Sequence, residues 1–137
     1  MKDSAISPSC YAVIFHSCRA SHPDPRPTND IAANSNSNPN DDDDDASSKA
    51  YAATSDAMLE LARKQPGFLS VYSARDPVSL EGITVSYWKT LDDVRAFRRE
   101  DEHRRAQARG KKEWYSWYKV VISKVERTYG FESVNSL

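Results

Sequence analysis

Two histidines, His16 and His103, are the side chains of this sequence best suited to moving a proton near neutral pH, because an unperturbed imidazole titrates at ~6.5. His103 lies in the charged string EHRRAQ, and His16 lies within the apolar run YAVIFHSCR. Each also has a structural interpretation, His103 as a surface histidine between charged neighbours and His16 as a core histidine. The third histidine, His22, lies in a polar segment and is given no role.

Arginines and a tryptophan close to His103 supply the other parts of a site for a planar acidic molecule. Arg105 or Arg109 could hold an enolate or a phenolate, since a guanidinium stays charged and presents several donors. Trp88 is either an ordinary core residue or a surface on which a flat ring of the ligand stacks. The basic stretch 98–112 has a net charge of +4. We interpret that stretch as a solvated helix face, so that a nucleic-acid partner is not expected.

One segment of the chain differs sharply in composition from the rest. Residues 20–48 contain no aromatic residue, one base and seven acids, five of them in the run Asp41–Asp45. Such a segment buries too little apolar surface to offset its ordering entropy, so a disordered insert is predicted. The acidic run is interpreted as solvated, the alternative being a contact with a basic face of its own domain. The remaining 108 residues hold all 14 aromatics, which predicts a single domain over 10–131 interrupted by 20–48.

Both cysteines are predicted to be free thiols. Cys10 and Cys18 flank one predicted strand, and eight residues at ~3.3 Å place them roughly 26 Å apart, beyond the ~7 Å Cα limit for a disulfide. The first nine residues contain no apolar signal stretch, so a reducing compartment, the cytoplasm, is expected. No apolar run approaches the ~20 residues that a membrane span requires.

Apolar periodicity predicts the element order βαββαβ. The second helix is expected to start at the capping-box-like Thr90–Asp93, and the first to stop at Gln65-Pro66-Gly67. This order is typical of the ferredoxin-like α+β fold, a four-stranded antiparallel sheet with both helices on one face. The predicted strands span 11–19, 68–75, 82–89 and 114–129, and the helices start near 51, at 90 and near 101.

Aromatic residues are concentrated in and just before the last two predicted strands. They are Trp88, Trp114, Tyr115, Trp117 and Tyr118. Each aromatic side chain buries ~150–250 Å². If helices cover only one face of the sheet, part of this aromatic area is exposed to solvent on the other face. A second copy of the chain is the simplest cover, so a homodimer is predicted.

Three strings carry a resemblance to a known family. They are GITVSYWKTLDDVRAF at 82–97, EHRRAQARG at 102–110 and WYSWYKVVISKVERTYGF at 114–131. The chain resembles the antibiotic biosynthesis monooxygenase (ABM) superfamily, and more narrowly its small uncharacterised bacterial members, over 11–19 and 49–131. This resemblance implies a dimeric α+β barrel whose last strand reaches over the partner, with a pocket between sheet and helices in each protomer.

The resemblance also implies chemistry. Characterised relatives oxidise aromatic polyketides or quinols with dioxygen and neither metal nor flavin, whereas others bind and degrade haem. Trp88 matches the tryptophan found at this strand end, and Thr84 stands where polyketide oxygenases carry an asparagine. Haem-degrading relatives carry a tryptophan and a histidine at the positions of Phe97 and Gln107, and this departure argues against haem degradation.

The sequence therefore predicts a cofactor-independent monooxygenase that acts with dioxygen on a small aromatic or quinol-type molecule. His103 or His16 would take the proton, and no metal is expected. The predicted substrate-binding residues are Trp88, Thr84, Phe97, Gln107, Arg105 and Arg109. Two alternatives remain at this point, a non-catalytic dimeric binding or stress-response module and a haem-binding protein.

Overall fold

A computed structural model describes residues 6–20 and 41–134, with the side chains of 41–45 left out. Within this part, four strands and three helices follow one another in the predicted α+β order. The elements are β1 (Tyr11–Arg19), α1 (Asp41–Arg63), β2 (Phe68–Arg75), β3 (Glu81–Trp88), α2 (Leu91–Arg99), α3 (Asp101–Arg109), a π-helical turn (Gly110–Trp114) and β4 (Tyr115–Lys124). The ferredoxin-like prediction is confirmed.

The four strands form one antiparallel sheet in the order β2-β3-β1-β4. Side chains alternate between the two faces of each strand. On β1, Val13 and Phe15 face the helices, and their partners on β3 are Ser86 and Thr84. Residues that alternate with them along the strand, such as His16, therefore lie on the opposite face.

Two element boundaries differ from the predictions. Helix α1 begins at Asp41, so residues 41–48 are helical rather than part of the predicted disordered insert, whereas 21–40 lie outside the described residues. Acidic residues are favourable at a helix N-terminus, where the macrodipole is positive, and the composition-based prediction did not weigh this effect. Strand β4 is shorter than predicted, because Trp114 closes the π-helical turn and pairing ends at Lys124.

The start of α2 is capped as predicted, and the cap is packed against the turn that ends α1. The Thr90 hydroxyl accepts a hydrogen bond from the Asp93 amide at 3.1 Å and donates one to the Asp93 carboxylate at 2.7 Å. Gly67 has φ +80°, and a Cβ there would lie 1.9 Å from Asp93 Oδ2. The left-handed conformation and the close approach both require glycine at this position.

The buried core lies at the end of the sheet where β3 meets α2. Ala62, Trp88 and Val94 form its centre, and larger side chains pack around it: Tyr11, Val13, Phe68, Leu91 and Phe97. This core fixes the position of α2 against the sheet, and it forms one wall of the cavity described next.

The sheet face away from the helices is apolar and uncovered in the single protomer, as far as the described residues show. Trp117 and Val121 of β4 are each 41% exposed, and Ile83 of β3 is 48% exposed. By the alternation of side chains, these three residues share the face that also carries His16.

Candidate active site

A cavity of about 180 Å³ lies between the helix-facing side of the sheet and helices α1 to α3. Its sheet side is formed by Val13, Phe15, Val71 and Val120, with the hydroxyls of Thr84 and Ser86 as the polar groups of β3. Helix α1 contributes Met58, Leu59 and Ala62. The lining is therefore mostly apolar with a few polar groups, which is the usual composition of a site for a small organic ligand.

Aromatic rings form a ladder at the core end of this cavity. Trp88 has no exposed surface, its ring stacks on Phe97 at 5.1 Å, and Phe68 meets it edge-on at 5.6 Å. The Trp88 indole N–H donates to Ser86 Oγ at 2.9 Å. The indole orientation is thus fixed from three sides, so Trp88 is a core residue that holds Phe97 and this end of the cavity rigid.

His103 continues the ladder, since its imidazole lies 4.4 Å from the Phe97 ring and also lines the cavity. Burial lowers the pKa of His103 from its usual 6.5, and the nearby Arg98 guanidinium acts in the same direction against an opposing effect of the Arg98 backbone. Its Nδ1 is buried and has no hydrogen-bond partner within the described part of the chain. Burial therefore favours the neutral imidazole, which is the form that can accept a proton.

Two further predicted residues reach the same cavity. Thr84 lies beside Ser86 on the cavity side of β3, and its hydroxyl shares a 2.7 Å hydrogen bond with Ser73. Gln107 lies one helical turn after His103, on the same face of α3. The structure thus brings together five predicted site residues: His103, Trp88, Thr84, Phe97 and Gln107.

His16 lies elsewhere, and its proposed contact with the pocket needs correction. It is on the open sheet face, with Nε2 3.7 Å from Glu81 Oε1 and its ring 4.7 Å from Trp117. Strand alternation is the reason, because its neighbour Phe15 occupies the cavity side.

Arg105 and Arg109 also lie outside the cavity. With about 100° of rotation per residue, the face of α3 that presents His103 and Gln107 turns both arginines outward. Arg109 Nε donates to Glu113 Oε2 at 2.8 Å, and its guanidinium lies 4.6 Å from the centre of the Trp114 ring. Arg105 is exposed.

Sequence reasoning missed a second polar group, at the far end of the cavity. Tyr51 and Tyr115 both line the cavity, and their hydroxyls are 3.3 Å apart. Arg75 Nη2 donates to Tyr51 Oη at 3.2 Å and to Ser17 Oγ at 2.8 Å. The only sequence signal was the position of Tyr51 on the apolar face of α1, since its partners are 24 and 64 residues away.

Within residues 6–20 and 46–134, no three His, Cys, Asp or Glu side chains come together as a candidate metal site. None of the described helices has the length and apolar character needed to cross a membrane.

Comparisons with known proteins agree with this architecture. A family model for antibiotic biosynthesis monooxygenases matches residues 44–109. The uncharacterised protein YqjZ of Bacillus subtilis is 42% identical over 82 residues, which are 60% of this chain and 71% of that protein.

Solved structures show the same fold at low sequence identity. SnoaB of Streptomyces nogalater, a cofactor-independent oxygenase, superimposes with a TM-score of 0.59 at 10% identity, over 88% of this chain and 96% of its own. Rv0793 of Mycobacterium tuberculosis gives a TM-score of 0.62 at 13% identity, over 89% of this chain and 100% of its own. The strings in β3 to β4, the cavity beneath Trp88 and the match to YqjZ lead to one conclusion: this chain belongs to the antibiotic biosynthesis monooxygenase family.

Proposed function

We propose that this protein is a cofactor-independent monooxygenase that oxidises a small aromatic or quinol-type molecule with dioxygen. The observation that carries the proposal is the half-buried imidazole of His103, whose pKa is lowered by burial, in one largely apolar cavity with Trp88 and Phe97. Family membership and the likeness to a cofactor-independent oxygenase support the same reaction class.

In the proposed mechanism, His103 removes a proton from the acidic substrate, and the resulting anion is delocalised over its ring. The anion transfers an electron to dioxygen, and the two radicals combine to form a carbon–oxygen bond. Loss of water from this peroxide leaves a new carbonyl. The CH₂ group of an anthrone, or of a quinol in its keto form, and O₂ thus become C=O and H₂O without an external reductant. The protein supplies the base, the flat walls and an environment of low polarity.

The size of the cavity limits the substrate. About 180 Å³ is smaller than the ~300–1,000 Å³ typical of sites for drug-sized ligands. We therefore propose a substrate of one or two fused rings that lies at the Trp88 and Phe97 end of the cavity, with Thr84 and Gln107 as hydrogen-bonding groups at its edge.

The reaction is tested with an oxygen electrode and a panel that contains the one-ring toluhydroquinone and the two-ring naphthohydroquinone. Anthrone, which has three fused rings, is included to test the size limit. We expect protein-dependent uptake of one dioxygen per molecule oxidised, faster than autoxidation and unchanged after dialysis against a chelator. Heat-denatured protein is the control. Binding without uptake across the panel would favour the non-catalytic module, and a Soret band that saturates on haem titration would favour a haem-binding protein.

We also propose that two copies of the chain pair through the open sheet face. Trp117, Val121 and Ile83 leave an apolar surface there, and isologous pairing covers the same patch on both protomers. Free Cys10 and Cys18 are consistent with the further proposal that the protein resides in the cytoplasm.

The pairing predicts twice the chain mass in sedimentation at micromolar concentration. Val121→Lys places a charge in the exposed apolar surface of this face on each protomer, so we expect the variant to sediment as a single chain. The matched control is Val78→Lys, since Val78 is 90% exposed in the β2–β3 turn and should leave the mass unchanged. A single-chain mass for the unsubstituted protein would exclude the proposed pairing.

A further inference from the structure

The end of the cavity away from Trp88 is built around one hydroxyl group, that of Tyr51. Along β3, the cavity face runs from Trp88 through Ser86 and Thr84 to Gly82, roughly 20 Å at ~3.3 Å per residue. Arg75 is paired with Gly82 at this second end, where its guanidinium reaches Tyr51. The cavity thus has one end formed by Trp88 and Phe97 and a second end formed by Tyr51.

Among the described contacts, the Tyr51 hydroxyl accepts two hydrogen bonds and its own O–H group donates none. A phenol has one O–H to donate and two lone pairs to accept with. Both lone pairs of Tyr51 are engaged, one by Arg75 Nη2 at 3.2 Å and the other by the Tyr115 hydroxyl at 3.3 Å. No described residue accepts the Tyr51 proton, so that proton is available to a molecule in the cavity.

The surroundings of Tyr51 are positively charged. The Arg19 guanidinium lies 3.7 Å from the centre of the Tyr51 ring, and Arg75 contacts its hydroxyl. Neither arginine forms an ion pair with a carboxylate among the side chains that the structure describes. Two cations beside one phenol, neither of them paired with a described carboxylate, favour an acceptor that carries negative charge.

The indole N–H of the neighbouring Trp114 also lacks an acceptor among the described residues. Trp114 is 2% exposed and lines the cavity, its ring meets Tyr51 edge-on at 5.5 Å, and its Nε1–H is buried without an acceptor in the described part of the chain. A buried donor left unpaired is costly, so an acceptor oxygen that a ligand brings to this site would be favourable.

We propose that Tyr51 is the anchor for an acidic oxygen of the substrate, with Trp114 as the second donor and Arg75 and Arg19 as the source of positive potential. The ligand class is an aromatic molecule with an ionisable hydroxyl, held as its phenolate or enolate. This inference rests on the proposed function for its substrate, and it adds the orientation: the acidic oxygen lies at the Tyr51 end and the ring extends toward Trp88.

Tyr115 is suited to a supporting role in this arrangement. Burial raises the pKa of Tyr115, and the hydrogen bond to Tyr51 raises it further. The Tyr115 hydroxyl therefore stays protonated and continues to donate to Tyr51, which keeps the Tyr51 proton directed to the ligand. Tyr115 is a positioning residue, because it acts through Tyr51.

The test compares two flat probes that differ in one group, para-nitrophenolate and para-nitrotoluene, by calorimetric titration at a pH where the phenol is ionised. We expect Tyr51→Phe to weaken para-nitrophenolate binding about tenfold and to leave para-nitrotoluene within about twofold, since only the first probe has a charged acceptor. In Tyr51→Phe, the visible band of bound para-nitrophenolate should move to longer wavelength, because the ground state loses a hydrogen bond to its charged oxygen. Tyr115→Phe should cost about twofold to threefold, because the Tyr51 proton remains.

Tyr129→Phe is the control for the substitution itself, since Tyr129 is 90% exposed outside the cavity. Equal losses for both probes in Tyr51→Phe, no loss for either, or no preference of the unsubstituted protein for nitrophenolate would each overturn the proposal. Neither probe is a substrate for dioxygen. Tyr51-dependent binding without oxygen uptake by the panel would therefore retain the anchor and reject the monooxygenase, and the reverse result would reject only the anchor.

Discussion

Replacing His103 by glutamine should lower kcat/KM for the dioxygen-dependent reaction at least ~100-fold, the usual contribution of a general base. Glutamine keeps a polar side chain of similar length against Phe97, so the fold and the cavity are retained. The ring of His103 lies 4.4 Å from Phe97 and lines the same cavity as Trp88. Oxygen-electrode rates for the unsubstituted and H103Q proteins measure the loss.

The pH profile adds a second signature to this prediction. Burial lowers the pKa of His103 below 6.5, so its neutral form persists into mildly acidic solution. We expect the acidic limb of kcat/KM to lie below 6.5 and to disappear in H103Q. The same shift affects stability: the unfolded chain binds the proton more tightly, so stability falls as the pH drops below 6.5 through the folded pKa.

His16→Gln is the matched histidine control, because His16 lies on the opposite face of the sheet beside Glu81. Its kcat/KM should stay within about threefold, with the oligomeric state checked by sedimentation. If H103Q retained more than a third of the activity, or if the acidic limb remained at the same pH, another group would have to be the base.

Replacing Trp88 by alanine should destabilise the protein by ~3–5 kcal/mol, the range for removal of a large buried aromatic. Trp88 has no exposed surface and packs between Phe68 and Phe97. This loss is a large fraction of the ~5–15 kcal/mol that holds a typical domain folded. Urea unfolding followed by circular dichroism gives the difference.

Trp88→Phe separates packing from the indole itself. Phenylalanine keeps a ring against Phe97 but removes the N–H that donates to Ser86, so we expect a smaller loss of ~1–2 kcal/mol. Val78→Ala, at a position 90% exposed, should change stability by no more than ~0.5 kcal/mol. A loss below ~1 kcal/mol for W88A would mean that Trp88 is not the centre of the core.

Local features of the sequence were sufficient to predict much of the fold. The capping residues at Thr90 and Asp93, the stop at Gly67 and the apolar periods of β1 and β3 each act over a few residues, and each was confirmed. The start of α1 at Asp41 was not predicted, because composition alone does not weigh the favourable position of acidic residues at a helix N-terminus.

The residues of the candidate site also fall into two groups, those that the sequence could assign and those that only the structure could place. Trp88, Thr84, Phe97, His103 and Gln107 could be assigned to one pocket from a family resemblance and the order of elements, and they line one cavity. For His16, strand alternation gave two possible faces, and only the packing of Phe15 against the helices decided between them. Arg105 and Arg109 lie outside the cavity because α3 is oriented with His103 and Gln107 toward it.

By itself, the sequence determined the order of strands and helices and the family to which the chain belongs, because these depend on neighbouring residues and on continuous motifs. Only the tertiary structure decided which side chains meet. Tyr51, Arg75 and Tyr115 are far apart along the chain, and no local pattern relates them. Their hydroxyl and guanidinium groups come together because α1 packs over β2 and the start of β4. Only in that arrangement is the Tyr51 O–H group left free to donate to a ligand.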